Sequence, residues 1–204
     1  MSFNKNHYID EESVREHLTE ERLEIFYNCI SASINYYQEK HKDDGHIFLP
    51  RTKANAINDI MANNIKKSFE SDPDVYIFYA RGRSLRLSIN NGAVVVRFKK
   101  MDKNMTTHNI PTQQALDFNE QLTLFGNSIN INAGYISTGF DHKIVVACPE
   151  NNNQNFWAWE VESAVANLEN VTIFPVAISA QSTALPKRKV VPRREKKEHE
   201  GVNE

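Results

Sequence analysis

The chain has 204 residues, 40% hydrophobic and 10% aromatic, with 24 Lys/Arg against 26 Asp/Glu for a formal net charge of −2. That is apolar material for one good core, or for one domain with a short appendage. No uncharged apolar run of about 18 residues occurs, and the N-terminal stretch lacks the apolar segment of a secretory signal, so the expectation is a soluble, intracellular protein without a membrane partner.

The near-neutral total conceals a segregated field. Residues 81–103 carry seven Lys/Arg against one Asp, residues 1–80 carry nine against fourteen acids, residues 104–186 one against seven, and the tail from 187 seven against four. Such segregation focuses anionic partners onto one surface.

In chain order, Asp10 and Ser13 are helix-cap candidates, and Ser13 with Glu16 has capping-box spacing. Leu23, Phe26, Tyr27, Ile30, Ile34 and Tyr37 then form one apolar stripe along a helix of about 20 residues. Lys40, His41, Lys42 and Gly45 suit its C-terminus, Gly45 through a left-handed exit. After Pro50 a second helix is expected, capped by Thr52, with Ala54, Ile57, Ile60, Met61, Ile65 and Phe69 as its buried face and Ser71-Asp72-Pro73 as its stop.

The period changes at Val75. Val75 to Tyr79 is a β-branched and aromatic run, and Leu85, Leu87 and Ile89 alternate at two-residue steps. Asn91-Gly92 is the preferred pair for a type I′ turn, so Ala93 to Phe98 should fold straight back. Register then follows: Ile89 opposes Val94, Leu87 opposes Val96, and Arg86 opposes Arg97. Leu85, Leu87, Ile89, Val94, Val96 and Phe98 point into the core, leaving Arg86, Arg97 and Lys99 on the outward face. Like charges opposed on a ladder destabilise by up to about 1 kcal/mol, so the arginine pair calls for a counter-charge. One source is a bound phosphate; another is Glu or Asp from the first helices lying over the pair.

Beyond the hairpin, Pro111 to about Glu120 reads as a short helix, and Ile129–Ile136, Lys143–Cys148 and Asn155–Trp159 as strands. Glu160–Leu168 fits a short helix and Val171–Ile178 a last strand. The pattern predicts one α+β domain over residues 1–180, helical over about 10–70 and strand-rich over about 75–178, with N-terminal helices packed on a mainly antiparallel, hairpin-built sheet. Residues 181–204 are expected to form a disordered basic tail resembling a polybasic or nuclear-localisation segment; the expected location is cytoplasmic, with a nuclear one as the alternative in a eukaryote.

The catalytic inventory is thin. No His-x-x-x-His or Glu-x-x-His pair occurs, no phosphate-loop or nucleophile-elbow motif occurs, and Cys29 and Cys148 read as reduced structural thiols. No catalytic residue, metal site or cofactor is therefore assigned. Asp72 and Asp74, ahead of a strand with basic residues downstream, resemble the acid-and-lysine arrangement of metal-dependent nucleases, but the Glu-x-Lys element is missing. Trp157 and Trp159 are candidate stacking residues for bases, against the commoner role of core packing. The expected function is binding without catalysis, with Arg83, Arg86, Arg97, Lys99, Lys100 and Lys103 contacting nucleic acid or another polyanion. The alternatives are an inhibitor, antitoxin or assembly partner using the same face against an acidic protein, and, third, a metal-dependent nuclease.

Overall fold

The computed structural model describes residues 10–80, 84–107, 112–119, 128–138, 141–151 and 153–163. Arg81-Gly82-Arg83, the expected strand Val171–Ile178 and the basic tail lie outside them. The described chain has four helices and one six-stranded, mostly antiparallel sheet.

Where one long N-terminal helix was expected after the caps, two helices form, α1 (Glu11–His17) and α2 (Glu20–Lys40). The break falls at Leu18-Thr19, because the Thr19 hydroxyl accepts the Arg22 amide at 3.4 Å and caps α2. Asp10 flanks α1 without a side-chain cap bond, and Ser13 lies inside that helix rather than boxing its start. Gly45 makes no left-handed exit; it sits where a Cβ would meet the His41 carbonyl oxygen at 2.5 Å. The next helix, α3 (Pro50–Phe69), begins with Pro50 in its first turn, so Leu49 rather than Thr52 takes the cap position.

The strands are β1 (Val75–Ala80), β2 (Ser84–Ile89), β3 (Val94–Met101), β4 (Ile129–Ser137), β5 (His142–Pro149) and β6 (Asn155–Val161), in spatial order β1 to β6. Glu160 and Val161 extend β6 instead of opening a helix, since they pair with Val145 and Ile144 and Glu160 meets Lys143 at 2.7 Å. Every neighbouring pair is antiparallel except β3 and β4, which run parallel with Val94 beside Ile129 and Met101 beside Ile136. A parallel pair needs a crossover, and this one contains α4 (Gln113–Asn119).

One sheet face carries the main core. Leu85, Leu87, Ile89, Val94, Val96, Phe98, Ile131, Ala133, Ile144 and Val146 pack there against Phe26, Ile30, Met61, Ile65 and Phe69. Phe26 joins three elements, its ring lying 5.5 Å from Phe69 and 5.3 Å edge-on from Phe98. Each fully buried large side chain contributes roughly 1.5–3 kcal/mol. Cys29 and Cys148 are buried in this layer and form no disulfide with one another, and burial pushes the Cys148 thiol up to about 12.

A buried arginine locks the helices to the hairpin tip. Arg22 donates from Nε and Nη2 to Asp72 at 3.0 and 3.1 Å, and from Nη1 to the His17 carbonyl at 2.9 Å and to Asn90 Oδ1 at 3.5 Å. Hydrogen bonding from Arg22 holds the Asp72 carboxyl below its usual range, against an opposing effect of burial. A carboxyl lowered in the fold stabilises fully above its ordinary value of 3.8, and that stability disappears as pH falls through the lower folded value. Arg22→Ala should therefore cost about 2–3 kcal/mol in urea unfolding, below the figure for a fully buried pair because the Asp72 side chain stays 22% exposed. Asp72→Asn should flatten the acid limb of the stability profile below about pH 4.

Candidate anion-binding groove

The site begins with a turn. Asn91 and Gly92 have φ of 55° and 90°, and the Ala93 amide donates to the Asn90 carbonyl at 3.2 Å, as a type I′ turn requires. Asn90 adds a third positive φ of 49°, held in place by its side-chain contact with His17 at 2.7 Å and by its amide on the Asp74 carbonyl at 2.8 Å. With the turn fixed, Arg86 pairs with Arg97, Leu87 with Val96 and Ile89 with Val94.

Alternation sends Arg86, Arg97 and Lys99 to the face opposite the main core, but that face is not open. Arg97 is only 4% exposed, contrary to its expected outward position, because α4 lies over it. Its Nε donates to Asn132 Oδ1 at 2.9 Å and its Nη2 to Asn119 Oδ1 at 3.0 Å. The Phe118 ring lies beneath both guanidinium groups, 4.1 Å from Arg97 and 4.8 Å from Arg86. Asn130 Nδ2 donates to the Phe118 carbonyl at 3.1 Å and fixes the end of α4. Over Arg97 the structure thus places neutral amides, not carboxylates from the first helices.

Three cations share this corner, and each has a lowered pKa. Burial lowers Arg86; burial and then the Arg86 charge bring Arg97 down to about 9; burial, Arg97 and Arg86 in turn lower Lys99. Lys99 is fixed by the backbone as well. Gly134 pairs with it on β4, and a Cβ on Gly134 would fall 1.6 Å from the Lys99 carbonyl oxygen, so only glycine lets the strands meet there.

These residues open onto a groove of about 1090 Å³. Among the described residues lining it, the charged ones are Arg51, Arg86, Arg97, Lys99, Lys100 and Lys103, with Asp102 the one acid. The Asp102 carboxylate is turned into its own loop, accepting the Asn104 and Thr106 amides at 2.9 Å each and the Thr106 hydroxyl at 3.1 Å. The first turn of α3 borders the groove with Pro50 and Arg51 and contains no acid, adding the positive end of a helix dipole. Of the residues expected to bind, five line the groove, and Arg83 lies outside the described residues. Arg51, Phe118, Asn119 and Asn132 were not expected at this site; only Asn132 had a signal, the alternation Ile129-Asn130-Ile131-Asn132, which puts amides on the second face of a strand.

The other candidates sit elsewhere. Trp157 and Trp159 pack against the core and on one another at 4.9 Å, and the Arg15 guanidinium covers Trp159 at 4.0 Å. Trp157 also borders a shallow recess of about 450 Å³ with Asn104, Asn153, Gln154 and Asn155. Asp72 and Asp74 lie at the hairpin-tip end of the sheet, whereas Lys99 is five residues further along β3, about 17 Å at strand rise. The acid-and-lysine arrangement is therefore not assembled from these residues, and among the described residues no group of three His, Cys, Asp or Glu is placed to hold a metal. No described helix is long and apolar enough to cross a membrane. Compared with known proteins, the chain matches no family model, no curated protein and no solved structure.

A buried guanidinium held by amides and an aromatic ring keeps a desolvation cost that, among the described residues, no ion pair offsets. Because burial depresses its pKa, that cost is complete below about pH 9 and shrinks as pH rises further. Replacing Arg97 by Met together with Asn119→Leu and Asn132→Leu, which removes the charge and both of its buried acceptors, should raise the urea midpoint at neutral pH. Asn132→Leu, which leaves the Arg97 Nε without its acceptor, should lower stability by about 2 kcal/mol in the same measurement.

Proposed function

We propose that this protein binds nucleic acid by holding its phosphate backbone in the groove between α4, β3 and the start of α3. The observation that carries this reading is the gathering of six cations along one concave surface, with a single described acid engaged by its own loop. Burial and then the Arg86 charge lower the proton affinity of Arg97, and burial, Arg97 and Arg86 that of Lys99, so an anion in the groove meets a concentrated positive field. Lys100, Lys103 and Arg51 are exposed around the mouth and extend the positive field outward. Phosphate suits this lining because guanidinium groups bind its oxygens as a fork and lysines as point charges.

Salt dependence provides the test. In anisotropy titrations of wild-type protein with short oligonucleotides, affinity should fall steeply with ionic strength, one counterion release per phosphate contact. Lys100→Ala and Lys103→Ala should each reduce the logarithmic salt slope by about one, with stability changed by less than about 0.5 kcal/mol. Repeating the titration without residues 186–204 separates the basic tail's share from the groove's. A wild-type protein that binds no oligonucleotide at low salt overturns the proposal, and a stoichiometric acidic protein co-purifying in its place would identify the groove as a protein-docking surface.

A further inference from the structure

Beside the groove, β1 carries aromatic side chains on the same sheet face as the arginines. Strand pairing sets Tyr76 opposite Ser88 and Phe78 opposite Arg86, so both rings share the face that Arg86 and Arg97 occupy. The two rings are nearly parallel, with centroids 6.0 Å apart and planes 15° from one another. Tyr76 is 70% exposed, on the outermost strand of the sheet, while Phe78 is half-buried behind it. An exposed aromatic face next to a cationic groove wall is the combination that recognises unpaired bases: the cations follow the backbone and the ring stacks on a base of any identity.

Resting on the nucleic-acid reading above, we infer that the ligand is single-stranded, with its phosphates in the groove and a base leaving it stacked on Tyr76. The register supplies the path. Arg86 belongs to the groove wall and Phe78 is its direct cross-strand neighbour, so a backbone passing Arg86 brings its next base over the β1 aromatics. Phe78 supports the Tyr76 ring from behind and orders it before the base arrives, which lowers the entropy lost on binding. A duplex offers no such contact, because its bases are already stacked on each other and only its backbone is presented.

The test uses the full chain with three fluorescein-labelled probes: a short oligothymidylate, a length-matched duplex and a length-matched abasic deoxyribose-phosphate strand. Oligothymidylate should bind tightest. Tyr76→Ala should weaken it about tenfold while leaving the abasic strand unchanged, and Tyr76→Leu, which keeps the bulk but not the π face, should behave likewise. Both variants should melt with the wild type, as expected for an exposed side chain. If the duplex binds as tightly as the single strand, or Tyr76→Ala leaves oligothymidylate affinity unaltered, the single-strand inference is overturned. The phosphate-binding reading survives that result if Lys99→Ala still weakens all three probes. If none of the probes binds wild-type protein at low salt, the phosphate-binding reading itself has failed and this inference falls with it.

Discussion

Because β4 runs beside β3 in the same direction, the chain between them must return along the length of the sheet, and on the described face it does so with α4. That single parallel pairing decides what becomes of the basic hairpin. A purely antiparallel meander would leave Arg97 in water, where its charge costs little. The crossover instead lays Phe118 and Asn119 over it and brings Asn132 alongside on β4, so the arginine is desolvated and yet hydrogen-bonded. The same pairing sets Gly134 against Lys99, at a position where a Cβ would collide with the Lys99 carbonyl oxygen.

The two faces of the sheet divide the protein's tasks. On one, α2 and α3 bury a continuous apolar layer organised around Phe26. On the other, a smaller apolar patch of Met101, Ile136, Val145 and Ala147 is separate from that core and lies beyond the polar cluster of Arg97, Asn119, Asn130 and Asn132. Arg22 and Asp72 clamp the far end, where helices, β1 and hairpin tip converge, so the hairpin carrying the arginines is anchored well away from the groove. A rigid hairpin suits a site whose charges repel one another, because its residues cannot simply swing apart.

Much of this was readable locally. Two-residue alternation and the Asn91-Gly92 turn determine which side chains of the hairpin share a face and that Arg86 meets Arg97, since both depend on neighbours in sequence. The division between α1 and α2 was missed because it hangs on one hydroxyl, Thr19, inside an otherwise continuous helical stretch. What was least legible is what covers the second face. Burial of Arg97 depends on contacts with residues 22 and 35 positions away, and the share of Arg51 in the groove on a strand–helix packing that no periodicity encodes.

The aromatic strand β1 has a consequence before any ligand is present. Val75-Tyr76-Ile77-Phe78-Tyr79-Ala80 is uncharged, rich in β-forming side chains and free of proline, and it borders the sheet. Such a segment is a template for aggregation whenever the chain is unfolded. In the sequence it is bracketed by Asp72-Pro73-Asp74 on one side and Arg81-Gly82-Arg83 on the other. These flanks act as gatekeepers: a second copy stacked in register would bring like charges together at both ends of the run. The nascent chain thus keeps a sticky strand safe by charges of opposite sign at its two ends, a protection in place before the helices have closed over the sheet.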